Sequence, residues 1–150
     1  MVSAKKVASY LIDKSSKLDE NNDLTNLKLQ KILYFVQVAS IKENGTKLFS
    51  DDIEAWQYGP VVPAVYNWLK SCGAYTITSF DVALENTGDL TDQMKQFLDA
   101  MWKKCNKYSA WHLVEKTHAP RSAWSIVYAN GQGNHEIISV ERLKATAALQ

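Results

Sequence analysis

The sequence predicts a mainly α, compact single-domain fold with a small β-hairpin or short extended pair around residues 47–58. Three observations predict it. Apolar residues recur at helical spacing through most of the chain, and the runs open on Ser or Thr residues able to cap them. One stretch, IEAWQY (53–58), alternates instead, and its length suits a strand rather than a helix. At 150 residues the chain is the size of one domain, able to bury about 70% of the surface its unfolded form exposes. No internal repeat or linker divides it, so residues 1–150 read as one unit.

Each element follows from local pattern. Val7, Tyr10, Leu11 and Lys14 lie at helical spacing behind Ser3, predicting a helix over 3–16. KLDENNDL (17–24) is polar turn material. Thr25 caps a second helix, NLKLQKILYFVQVASIKEN, and Gly45 suits the left-handed position that ends it. Leu29, Ile32, Leu33 and Val36 share one face, while Leu27, Tyr34 and Val38 are apolar elsewhere. This helix should therefore be contacted on more than one side and be central. Lys28, Lys31 and Lys42 are expected to form a separate stripe.

KLF (47–49) and IEAWQY, separated by SDD, suggest an antiparallel pair, stable only when packed on helices. Pro60 keeps Gly59 out of helical angles and is expected to end the extended stretch. Pro63 fits the first turn of a helix over 62–71, where its missing N–H costs nothing, and Gly73 stops that helix. Residues 74–89 begin β-like and end as a loop, without a clear assignment. Thr91 caps a helix over 90–104 with Met94, Phe97, Leu98, Met101 and Trp102 on one stripe. Ser109 caps a short helix carrying Trp111, Leu113 and Val114. Pro120 is expected to start a further turn containing Trp124, Val127 and Tyr128. After a loop at 131–135, Ser139 caps a last helix over 140–149.

The charge balance disfavours a nucleic-acid partner. Net charge is +1, with nine lysines against eight acids in residues 1–75 and eight bases against eight acids in 76–150. Phosphate binders draw much of their affinity from a basic excess, and none exists here. The longest apolar run, around Ile32–Ala39, is far short of the ~20 residues of a membrane span. The polar start MVSAKKVASYLIDKSS is no secretory signal core, which points to the cytoplasm.

Catalytic and metal chemistry find little footing. A Cys–His pair would draw on Cys72 or Cys105 with His112, His118 or His135, and a reactive thiolate needs a helix N-terminus or a cation beside it. Both cysteines sit at predicted helix C-termini, so an inert role is expected. His112 and His118 are six residues apart and do not converge on a continuous helix. Asp51, Asp52 and Glu54 read as a solvated turn rather than a cation site. No metal, cofactor or catalytic residue is expected. The aromatics are more suggestive: Trp56, Tyr58, Tyr66 and Trp68 cluster around the proline corner, where core and protein-interface roles compete.

Three stretches occur in order: LTNLKLQKILYFVQ (24–37), DDIEAWQYGPVVPAVY (51–66) and THAPRSAW (117–124). The set resembles the Panacea domain, a widespread antitoxin domain of SocA-like and phage-associated proteins, over roughly residues 5–145. The residues that carry the resemblance are Lys28, Gln30, Lys31, Tyr34, Trp56, Tyr58, Gly59, Pro60, Pro63, Tyr66, Thr117, His118 and Trp124. The resemblance implies a helical domain that neutralises a cognate toxin encoded beside it by direct contact, with no catalysis and no cofactor. It also implies an alternative, an adaptor delivering its partner to a ClpXP-type protease. The motif residues are expected chiefly to build the shared fold, with partner choice resting on less typical exposed positions.

Overall fold

Helix α2 (Asn26–Asn44) has no polar face, and 15 of its 19 residues are buried. The computed structural model describes residues 1–18 and 21–150; of the expected turn at 17–24, Asp19 and Glu20 lie outside the described residues. Around α2 pack α1 (Ala4–Ser16), α3 (Pro63–Trp68), α4 (Asp92–Asn106), α5 (Ala110–Thr117) and α7 (Val140–Ala145), while α6 (Ala123–Tyr128) bridges α5, α7 and the sheet. A helix enclosed on all sides shows no polar face, and the polar side chains it does carry have to find partners inside the protein. The mainly α fold with a small β element is the class that the sequence predicts.

Local signals place most boundaries. Ser3, Thr25, Thr91, Ser109, Ser122 and Ser139 each accept a hydrogen bond from the backbone N–H three residues on, satisfying one of the free donors of a first turn. Pro63 occupies the first turn of α3 instead. Gly45 ends α2 with φ 77°, a conformation costly for a residue with a Cβ. The sixth helix starts from Ser122 rather than Pro120, and Arg121 between them takes φ 65°. The last helix stops at Ala145, where Thr146 turns extended and its hydroxyl accepts from Ala123 N–H at 3.1 Å.

The β element sits slightly downstream of its expected place. Strands β1 (Glu54–Trp56) and β2 (Gly59–Val61) form a tight antiparallel hairpin, with Ala55 opposite Pro60, and β3 (Glu136–Ile137) pairs on the other side of β1. Pro60 therefore lies inside an edge strand, where its missing N–H is tolerated, rather than ending the extended stretch. Residues 47–49 do not pair with 53–58. Phe49 instead bridges Val2 in parallel, with Val2 N–H on Leu48 O at 3.2 Å and Ser50 N–H on Val2 O at 3.1 Å.

The unassigned stretch 74–89 contains no helix or strand. It runs against α1, held by Ser79 N–H on Ser16 Oγ (2.8 Å) and Glu85 N–H on Ser9 Oγ (3.0 Å), and it inserts Ile77 into the core. Irregular backbone of this kind must find hydrogen-bond partners wherever it is buried. On α2, Gln37 serves the same purpose for residues 48–49. Its Oε1 accepts from Leu48 N–H (2.8 Å) and Phe49 N–H (3.3 Å), and its Nε2 donates to Phe49 O (2.8 Å).

Replacing Gln37 by Leu keeps the volume and strips three buried backbone groups of their partner. The expected loss is about 2–4 kcal/mol in urea unfolding, the scale of buried polar groups left unmet. A loss below about 0.5 kcal/mol would mean that the loop does not depend on this amide.

Candidate functional site

Residues of all three signature stretches meet at the hairpin, while Lys28 and Tyr34 pack elsewhere on α2. Gln30, 1% exposed, accepts from Val62 N–H at 2.8 Å and donates to Asn26 Oδ1 at 2.9 Å, and Asn26 donates in turn to Tyr66 O at 3.2 Å. Lys31 is buried under β2 and its Nζ donates to Pro60 O at 3.0 Å. Gly59, at φ 112°, leaves the space for that side chain. A Cβ there would stand 2.8 Å from Lys31 Cε and 2.9 Å from Thr117 Oγ1. Thr117 is itself buried and donates to Val114 O, while Ser122 caps back onto Thr117 O.

Trp124 ties the third stretch to the second. Its Nε1 donates to Trp56 O at 2.7 Å, and its ring stacks between His118 (centroids 3.7 Å apart, 5° between planes) and Tyr128 (4.7 Å, 15°). Nε2 of His118 is buried without a hydrogen-bond partner among the described residues. Burial, and then the positive charge of Lys31, hold this imidazole below its usual pKa, so the neutral ring is favoured. Tyr34 is buried on α2, edge-on to Phe35 at 5.1 Å, and its phenol pKa is raised by burial.

Lys28 and Lys31 do not lie on a solvent stripe with Lys42. Both are 0% exposed. Lys28 reaches Asp23 (2.8 Å) and the oxygens of Asn106, so its charge is paired at the end of the helix. Lys31 has no such carboxylate among the described residues, and burial pushes its amine down to about 7. The sequence pattern misplaced both because lysine is nearly always a surface residue, and only the lack of any polar face on α2 hinted otherwise.

Beside the hairpin opens a cleft of about 610 Å³. Trp56 forms its wall, edge-to-face with Tyr66 (4.9 Å, 68°) and stacked on His135 (4.6 Å, 24°). His135 holds that position from a left-handed backbone (φ 69°) and hydrogen-bonds through its N–H to Ala55 O at 2.7 Å. At the rim Tyr58 and Trp111 meet edge-to-face at 5.9 Å, and they are 53% and 58% exposed. Of the signature residues, Trp56, Tyr58, Tyr66, Gln30 and Lys31 border this cleft; Tyr34, Lys28 and Trp124 do not. Sequence reasoning missed Trp111 as a cleft residue, placing it only on the short helix behind Ser109. At 100° per residue it lies about 200° from Leu113, which was the available signal.

The residues considered for nucleophilic chemistry behave as structure. Cys105 is buried and burial pushes its thiol up to about 12, the opposite of thiolate activation. Cys72 is a half-buried free thiol, and His112 is occupied by Ser109 at its helix cap. Among the described residues no three His, Cys, Asp or Glu side chains are grouped as a metal site, and no helix is long and apolar enough to cross a membrane.

The family model for the SocA-like antitoxin, Panacea domain, matches residues 29–125, well over half of the chain. The chain belongs to the SocA-like Panacea antitoxin family. It is 31% identical over 142 residues to the protein named Antitoxin SocA from Caulobacter vibrioides (strain NA1000 / CB15N), covering 89% of this chain and 74% of that protein. No solved structure matches the chain significantly. Membership of this antitoxin family implies a toxin as partner. The matched span takes in the α2 polar residues from Leu29 onward, the hairpin, the cleft rim and Trp124.

The buried amine of Lys31 has a signed consequence for stability. Below about pH 7 it is charged in both folded and unfolded chains, and the burial cost is present in full. Between about 7 and the usual lysine value of 10.5 the unfolded chain binds a proton that the folded chain has released, so stability from this group rises with pH. Cys105 and Tyr10, both raised to about 12, work the other way above their usual 9.0 and 10.0. The urea midpoint should therefore climb from pH 7 to 9, and Lys31→Met should flatten that climb. An unchanged slope in Lys31→Met would assign the effect elsewhere.

Proposed function

We propose that the chain is a non-catalytic, cytoplasmic antitoxin, a single domain that neutralises one cognate toxin by direct protein–protein binding. Family membership carries this reading: the match spans the interior helix from Leu29 on, the hairpin, and His118 with Trp124, which are parts the fold is built on. Burial supports a division of labour among the signature residues. Lys28, Gln30, Lys31, Tyr34, Gly59, Pro60, Thr117 and Trp124 face inward. They maintain the scaffold, with Pro63 starting α3 and His118 stacked on Trp124. Exposed aromatics such as Tyr58 and Trp111 are free to contact a partner. Aromatic side chains of this kind supply large rigid contact area at binding hot spots.

The test is co-expression with the protein encoded beside this chain. Expression of that neighbour alone should arrest growth, and the present chain should relieve the arrest and co-purify with it at near-equal amounts. A harmless neighbour that forms no complex would overturn the reading. The same experiment in a host lacking ClpXP-type protease separates inhibition from delivery. Relief should persist there, and its disappearance with the complex intact would favour the adaptor instead.

A further inference from the structure

The cleft beside the hairpin is apolar on its walls and carries one exposed lysine, Lys70. Trp56, Tyr66 and His135 pack against one another along one side, and Tyr58 and Trp111 stand at the rim. Lys70 lines the cleft from an exposed position after α3, and Lys31 lies beneath its floor. No Asp or Glu is among the lining residues, and neither lysine has a carboxylate partner among the described residues. In a chain with 17 bases and 16 acids, a cleft with an exposed lysine and no acids is a local departure from balance. Its volume, about 610 Å³, falls in the ~300–1,000 Å³ range of sites that bury a bound group.

We propose that this cleft receives a segment of the toxin carrying an acidic side chain next to an aromatic or large aliphatic one. The carboxylate faces Lys70, and the apolar side chain lodges between Trp56, Tyr58 and Trp111. The proposal rests on the antitoxin reading above and names the chemistry of the partner at that surface. Charge complementarity decides the acidic part: an incoming carboxylate meets positive charge that the chain itself leaves unmatched, and a basic segment would be repelled. The rim decides the apolar part. Tyr58 and Trp111 are each more than half exposed yet held in mutual contact, so covering them removes apolar area from water without first ordering two loose side chains. The wall behind them is fixed too, through Trp56 O on the Trp124 indole and Lys31 on Pro60 O. One exposed lysine in a balanced chain is too little for a phosphate backbone, which needs several cations along a track.

Two probes test this. The first is a random 12-residue peptide display library selected on the wild-type protein and counter-selected on a Lys70→Glu, Trp111→Ala double variant. Enriched peptides should hold Asp or Glu within a few residues of Trp, Phe, Tyr or Leu. Synthetic versions should lose at least tenfold in affinity on the double variant, as read by fluorescence polarisation. Enrichment of basic peptides, or binding that ignores both substitutions, would overturn the proposal. The second probe is the toxin itself. Lys70→Glu and Trp111→Ala should each weaken the complex about tenfold, and Lys substituted for the toxin's acidic residue should restore binding to Lys70→Glu. Phe80→Ala, at an aromatic 96% exposed outside the cleft, should bind as wild type. Both cleft positions are exposed, so thermal melting should be unchanged in these variants.

The failures are distinguishable. A complex that neutralises the toxin while every cleft variant binds as wild type, or while Phe80→Ala alone abolishes binding, overturns the cleft and leaves the antitoxin reading standing. A harmless neighbour without a complex removes the antitoxin reading, and the library still reports whether the cleft selects acidic-aromatic segments.

Discussion

Helix α2 turns most of its polar side chains inward, and the irregular backbone laid around it depends on them for hydrogen bonds. Gln37 serves residues 48–49, Gln30 serves Val62, Asn26 serves Tyr66 O and Lys31 serves Pro60 O. Short strands and corners cannot satisfy themselves, since β1 and β2 are three residues each and β3 only two. Without these four side chains the buried groups would cost of order 1–3 kcal/mol apiece. The interior helix thus acts as a template that fixes the path of its neighbours, more than as a ridge for apolar packing alone.

Lys31 is the most expensive member of this set. Burying an ammonium without a carboxylate is unfavourable, and that burial pushes its amine down to about 7. Its stem fills the space that Gly59 leaves open, so glycine, lysine and the Pro60 carbonyl form one unit. Alanine at position 59 would strain φ 112° and press on both Lys31 and Thr117. The co-occurrence of LKLQK with YGP in the sequence is the linear trace of that contact.

Helices were legible because each carries a local signal. Ser and Thr caps, Pro63 and Gly45 act within a few residues of where they stand, and the burial pattern follows from periodicity. The sheet was not. Strand β2 contains Pro60, which argues against a strand in a local reading, and β3 contributes two exposed residues that lie 81 and 83 positions from their partners on β1 (136 − 55 and 137 − 54). The inward lysines were misread for a related reason: a side chain's preference for water is a property of its type, while its burial is decided by elements distant in sequence. Of the cleft, Trp56, Tyr58 and Tyr66 stood out as a cluster in the chain. Trp111, Lys70 and His135 join them only through folding, so no window of the sequence contains the site.

Scaffold and cleft are also mechanically linked. Trp56 belongs to the wall of the cleft and, through its carbonyl, to the Trp124 stack. Gln30 and Lys31 border the cleft and hold β2. A substitution among these residues alters the shape of the cleft and the stability of the fold together, and binding data alone cannot separate the two. Tyr58, Lys70 and Trp111 touch the same space from exposed positions with no buried backbone group depending on them. Sequence change is therefore cheap at the rim and costly at the wall. A domain so arranged can change side chains at a few surface positions while the hydrogen bonds that define its fold stay in place.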